Sequence, residues 1–104
     1  MAVKMYSGKE IEVNDEGYFL EPDKWSGEIA TEIATEIGIV LTEEHIKVID
    51  FLRNDFKSKG SLPTMRRIKK VGGIQTKDLY RLFPEGPLKK ACKIAGLAKP
   101  ASCI

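Results

Sequence analysis

The sequence predicts a mainly α fold: a small helical bundle containing a helix-turn-helix-like pair, with an N-terminal β-hairpin before it and a mobile C-terminal arm after it. Three observations lead there. Apolar residues recur at helical spacing in Ile29, Ile33 and Ile37 with Ala30 and Ala34, and again between His45 and Phe56. Two short runs, Val3-Lys4-Met5 and Ile11-Glu12-Val13, flank Ser7-Gly8, a tight-turn dipeptide. After Gly96 the chain has small residues, a proline and no apolar run, so nothing there supplies the buried surface that fixes a segment. The 104 residues therefore read as one helical domain over residues 1–96 with its hairpin at 2–13, and a flexible arm over residues 97–104 that carries Cys103.

The hairpin at residues 2–13 has to lean on the helices, because a two-stranded ribbon alone is marginal in water. Asn14-Asp15-Glu16-Gly17 turns the chain, and Tyr18, Phe19 and Leu20 dock it. Between Pro22 and Ile37 the isoleucine stripe gives a helix that Gly38 ends, with Trp25 as its anchor rather than a ligand-stacking ring. Thr42 is the expected N-cap of the next helix, with Glu43 and Glu44 suited to its dipole and Leu41 placed to staple to Ile46. That helix runs to about Ser58, with His45, Ile49, Leu52 and Phe56 on one stripe and Val48 and Phe51 on another, so it is the central core helix. His45 invites a catalytic reading, yet its place at the start of the core stripe points to a hydrogen-bonded structural role.

After Lys59-Gly60, Pro63-Thr64 opens a short helix through Val71, with Met65, Ile68 and Val71 inward and Arg66, Arg67, Lys69 and Lys70 outward. Gly72-Gly73 breaks it, and Thr76 caps a further helix from Lys77 to Phe83, ended by Pro84. Two short helices joined by a glycine turn have the outline of a helix-turn-helix. In a DNA-binding reading Lys77, Tyr80 and Arg81 face the groove while Arg66 and Lys70 grip phosphates. Against it, the second helix is barely two turns long and brings few bidentate base readers.

The net charge of +2 hides a division. Residues 1–56 carry 5 basic and 13 acidic side chains, and residues 57–104 carry 12 basic and 2 acidic. Such asymmetry suggests an acidic partner, an anionic substrate or nucleic acid, with Arg66, Arg67, Lys70 and Lys77 as the candidate surface. No stretch has signal-peptide character or the length of a membrane span, so the expected location is cytoplasmic, in a reducing compartment and without membrane insertion. Two Cys and one His fall short of a four-ligand zinc site, and no glycine-rich phosphate loop is present.

Both cysteines lie in the last stretch. A helix opening at Pro87 and ending at Gly96, a residue suited to the C′ position, places Cys92 where a face of Leu88, Ala91 and Ala95 meets one of Lys89, Lys90 and Lys93. Neighbouring ammonium groups favour a thiolate, which would make Cys92 reactive; the alternative is a small thiol that only packs. Cys103 sits beside the last residue, whose carboxylate disfavours its thiolate, so it depends on Lys99 or a partner's charge for activation. Counted from Gly96, the arm reaches about 25 Å. It can enter another protein's channel or fold back toward Cys92, closing a ring that costs a free tail about 3 kcal/mol and makes the bond some tens of millivolts easier to reduce. A purely structural disulfide remains the other alternative.

Leu82-Phe83-Pro84-Glu85-Gly86-Pro87, then Ala91-Cys92-Lys93-Ile94-Ala95-Gly96-Leu97, Lys99-Pro100 and Cys103 resemble the C-terminal signature of the DsrC/TusE family, and Leu41-Thr42-Glu43-Glu44-His45 and Asp50-Phe51-Leu52-Arg53 extend the likeness over nearly the whole length. Ala98, Ser102 and Ile46 depart from the pattern, at positions where Pro, Gly and an aromatic are expected. The cysteine pair resembles DsrC, the gamma subunit of dissimilatory sulfite reductase, whereas a penultimate cysteine alone is the mark of the TusE relay of tRNA thiolation. The resemblance implies a sulfur carrier that is not a stand-alone enzyme. Cys103 would accept sulfur from sulfite reductase, and Cys92 would close a disulfide or trisulfide with it. Arg81, Lys93, Lys89 and Lys99 are the candidate charges near the sulfurs. The implied partners are the alpha and beta subunits of sulfite reductase, a membrane-associated disulfide reductase complex and other sulfur-transfer proteins. No cofactor is expected on this chain; siroheme and iron–sulfur clusters are expected in the partner enzyme.

Overall fold

The chain begins with a ribbon whose turn is set by two residues. Ser7 and Gly8 both have positive φ, 51° and 75°, the twist that lets a two-residue loop join antiparallel strands without splaying them. The computed structural model describes residues 2–101. In it β1 (Ala2–Tyr6) pairs with β2 (Lys9–Val13) in a register that sets Lys4 opposite Ile11 and Tyr6 opposite Lys9. Tyr6, Ile11 and Val13 are buried, while Val3 and Met5 face solvent. The ribbon is tied to the bundle by polar contacts: Tyr6 Oη and Lys4 Nζ donate to Glu36 at 2.7 and 2.9 Å, and Ser7 Oγ donates to Glu32 at 2.6 Å. The Asn14 side chain accepts from the amides of Glu16 and Tyr18, closing the connecting loop, and Phe19 returns to pair with Val13.

A single 3-10 turn at Pro22–Lys24 precedes α1 (Gly27–Glu36), where the Ser26 hydroxyl accepts from the Ile29 amide and Ile29, Ala30, Ile33 and Ala34 are buried. The central helix α2 (Glu43–Lys59) buries His45, Val48, Ile49, Leu52 and Asp55. Phe51 and Phe56 are only half-buried and Ile46 is exposed, so the core stripe is narrower than expected. His45 has the structural role expected of it. Its Nδ1 accepts from the Thr42 amide at 3.1 Å, which leaves the proton on Nε2 to be donated to the Leu82 carbonyl at 2.8 Å.

The pair α3 (Met65–Lys70) and α4 (Thr76–Leu82) follows, and α5 (Pro87–Ile94) completes the bundle. α3 opens after Pro63-Thr64 as expected, with Thr64 as its cap, but the helix ends at Lys70, so Val71 leaves the inward face and is 58% exposed. The cap of α4 is Gln75, one residue earlier than Thr76. α5 packs on α1, α2 and α4 and buries Leu88, Ala91, Cys92 and Ile94. The expected release of the chain at Gly96 is not found. Leu97 is 1% exposed and belongs to the core, and Pro100 is also buried, so the boundary drawn after residue 96 falls inside the packed body.

Candidate functional site at the root of the C-terminal arm

α5 starts where a helix starts most easily, with Pro87 in the first turn and Gly86 before it. Its far end is held by two side chains from elsewhere in the chain. The last carbonyls of a helix have no intrahelical partner; here the Ile94 carbonyl accepts from Trp25 Nε1 at 2.8 Å and the Ala95 carbonyl from Arg53 Nη1 at 2.8 Å. The Arg53 fork also donates to the Pro22 carbonyl at 3.1 Å, and its guanidinium lies 4.2 Å from the centre of the Trp25 ring. Gly96 has φ 69°, its amide bonds the Lys93 carbonyl and the Leu97 amide bonds the Cys92 carbonyl. This is the Schellman closure of a helix end. A Cβ on Gly96 would lie 2.3 Å from the Trp25 ring, so the position requires glycine for space as well as for conformation.

Cys92 sits one turn before this closure and is fully buried. Burial pushes its thiol up to about 12. That corrects the expectation of a thiolate favoured by neighbouring lysines. With α5 covered on several sides, the borderline position on the helical wheel is enclosed, and loss of hydration outweighs any distant ammonium. Lys93 turns away to place its Nζ 5.5 Å from the centre of the Tyr18 ring. Tyr18 donates from its hydroxyl to the Lys89 carbonyl at 3.2 Å. Its phenol is itself pushed up to about 12, first by burial and then by the negative charge that Cys92 and Glu16 carry when ionised. Lys99 is held by a Glu16 carboxylate oxygen at 3.0 Å. Cys103 lies outside the described residues.

The other basic candidates divide. Arg81 pairs with Glu44 at 2.5 Å and with Asp78 at 3.4 Å, in a cleft lined by Val40, Thr42 and Pro84 that Cys92 does not line. It is therefore not a charge at the buried sulfur. Arg67 forms a fork with Asp55, Nε to both carboxylate oxygens and Nη2 at 2.8 Å, which holds the Asp55 carboxyl below its ordinary range. This links α3 to α2 and removes Arg67 from the candidate surface. Arg66, Lys70 and Lys77 are exposed. Arg66 rims a groove of about 310 Å³ with Leu62, Met65, Leu88 and Pro100. Among the described residues no group of three His, Cys, Asp or Glu side chains is placed to hold a metal ion, and no helix is long and apolar enough to cross a membrane.

Sequence reasoning made Trp25 an anchor for the helix between Pro22 and Ile37, whereas its indole N–H holds the end of α5, and it missed the part played by Arg53, Tyr18 and Glu16. The one signal for Arg53 is a charge at helical spacing between Ile49 and Phe56, inside an otherwise apolar stripe.

A family model described as "DsrC like protein" matches residues 5–104. The dissimilatory-type sulfite reductase subunit gamma of Nitratidesulfovibrio vulgaris is 41% identical over 105 residues, covering 100% of both chains. The sulfurtransferase TusE of Escherichia coli O6:H1 is 41% identical over 107 residues, covering 96% of this chain and 98% of that one. Among solved structures, the crystal structure of dissimilatory sulfite reductase I (DsrI) superposes with a TM-score of 0.87 at 38% identity, covering 99% of this chain and 100% of that one. With the same hairpin-and-bundle fold and a match over almost its full length, this chain belongs to the DsrC-like family of sulfur carriers.

Proposed function

We propose that this protein works as a sulfur carrier for a dissimilatory-type sulfite reductase, accepting sulfur on Cys103 and closing onto Cys92. The observation that supports it best is the presence of both cysteines in the stretch matched to the family, with Cys92 at the root of the arm and Cys103 on it. Siroheme and iron–sulfur clusters belong, on this reading, to the alpha and beta subunits of the partner. A membrane-associated disulfide reductase returns the carrier to the dithiol. Arg66 beside Pro100, with the exposed Lys70 and Lys77, offers an acidic partner a basic landing surface.

The chemistry balances in two ways. If Cys103 carries a persulfide, the Cys92 thiolate attacks the Cys103 sulfur, a Cys92–Cys103 disulfide forms and the outer sulfur leaves as hydrosulfide. If the partner delivers sulfur two electrons more oxidised than the element, both thiols bond to it, releasing their protons, and a trisulfide results. Four electrons and four protons from the disulfide reductase then give two thiols and hydrogen sulfide. The burial of Cys92 supports giving the receiving role to Cys103.

The second reading, a TusE-like relay for tRNA thiolation, is supported by the equal identity to TusE. It needs only Cys103. A DNA-binding role for the α3–α4 pair is less well supported, since Arg67 and Arg81 are already paired with Asp55 and Glu44. Intact-mass measurement after single turnover with sulfite and the sulfite reductase separates these readings. The carrier reading expects added sulfur on the wild type, persulfide accumulating on Cys92→Ser and no loading of Cys103→Ser. Loading of Cys103→Ser at the wild-type rate overturns it, and full activity of Cys92→Ser in tRNA thiolation favours the relay.

A further inference from the structure

A resolving thiol has to meet the sulfur it resolves, yet Cys92 is fully covered and its carbonyl is tied to the Leu97 amide. Besides the helices packed against α5, the turn that follows Cys92, residues 93–97, is itself closed into the body, with Ile94, Ala95 and Leu97 at 0%, 0% and 1% exposed. The bonds within that turn, Ala95 to Ala91, Gly96 to Lys93 and Leu97 to Cys92, belong to the helix itself. The bonds that fasten the turn to the rest of the protein come from Trp25 and Arg53, which lie 69 and 42 residues from their acceptors. These two side chains also hold one another through the stacked guanidinium, and Gly96 is pressed against the same indole.

We infer that Trp25 and Arg53 form a clamp that controls access to Cys92. While they hold the Ile94 and Ala95 carbonyls the thiol is shut in, and when they let go the last turn of α5 unwinds and presents it. Neither residue touches reacting atoms; both act through the backbone of α5, as positioning residues. Arg53 suits such a device because among the described residues it bonds two carbonyls and stacks on a ring, with no carboxylate to fix it. Release therefore leaves a cation free, and a fork that had served two carbonyls becomes available to an anion. Burial alone lowers the affinity of Arg53 for its proton, yet a guanidinium stays charged throughout the physiological range, so the clamp is not a pH switch. The use of this clamp rests on the carrier reading; its control of Cys92 exposure does not.

Alkylation of Cys92 by iodoacetamide, in a Cys103→Ser background and with no sulfur substrate, tests it. Trp25→Phe keeps the ring beneath Arg53 and deletes the Nε1 donor; Arg53→Lys keeps the charge and deletes the fork. Each is expected to raise the alkylation rate about fivefold to tenfold, the effect of losing one net hydrogen bond. Hydrogen exchange at the Leu97 amide is expected to rise with it, while exchange at Leu52 in α2 stays unchanged. Ile33→Val, a core change in α1, serves as a control for general loosening and leaves Leu97 exchange tied to global stability. Alkylation unchanged in folded Trp25→Phe, or rising only in step with global stability as in Ile33→Val, overturns the clamp. Failure of sulfur to load on Cys103 in the wild type would instead overturn the carrier reading and leave this result standing.

Discussion

The α3–α4 pair and the end of α5 are both short, and both are fastened by side chains of α2. They differ in what the fastening does. Asp55 takes the Arg67 fork and His45 takes the Leu82 carbonyl, and the outer faces of α3 and α4 remain open, with Val71 and Tyr80 exposed. At the end of α5 the third α2 residue, Arg53, joins Trp25 in sealing a turn whose side chains are almost wholly buried. The thiol thus sits in the better-closed of the two regions. Its reactivity has to come from opening, whereas the α3–α4 surface is available at all times.

Breaking the closed side should have the largest effect. Gly96→Ala forces an alanine into positive φ and drives its Cβ into the Trp25 ring. The conformation alone costs about 1–2 kcal/mol, so a loss of more than about 2 kcal/mol is expected in urea unfolding; a loss below about 1 would mean the turn is already loose. Leu97→Ala follows, at about 2–4 kcal/mol if Leu97 is as well packed as its burial indicates. A near-neutral result there would restore a flexible segment from residue 97 onward.

On the open side, His45→Leu leaves the Leu82 carbonyl and the Thr42 amide without their ring partner and should cost about 1–3 kcal/mol, with Leu82 exchange rising before that of Leu97. Asp55 makes the contrast pH-dependent. Its folded carboxyl titrates below its ordinary value because of the Arg67 hydrogen bonds, so its stabilisation is present above the unfolded value of about 3.9 and fades as pH falls through the lower folded one. Asp55→Asn should be less stable at neutral pH and lose less between about pH 5 and pH 2 than the wild type; parallel curves would show that the pair contributes nothing. The smallest effect should be Val71→Ala, within about 0.5 kcal/mol, because Val71 is exposed.

How much of this was legible in the sequence depends on the range of the cause. The Ser7-Gly8 turn, the helix between Pro22 and Ile37, the opening of α3 at Pro63-Thr64 and the inner part of the α2 stripe rest on neighbours within a few residues, and all are found close to where periodicity and turn chemistry put them. Val71 was misplaced because a helical wheel does not know where its helix stops. For Cys92 the wheel left a reactive thiolate and a packed thiol both open, because it ranks positions on one helix, and burial here comes from other helices packed against α5. Arg53 could not be assigned from sequence, since its acceptors at Ala95 and Pro22 lie 42 and 31 residues away.

The burial of Pro100 turns the tail into a ruler. Cys103 lies three positions beyond Pro100, a span of about 10 Å at full extension, against the 25 Å or so available if the chain were loose from Gly96. On the proposed carrier reading, with the proline seated, Cys103 can accept sulfur only from a centre lying just beneath the surface of contact. A partner must then either press its reacting centre up against the Arg66 groove or peel Leu97 and Pro100 out of place, so the depth of the partner's channel dictates how tightly the two bodies must fit before any sulfur moves.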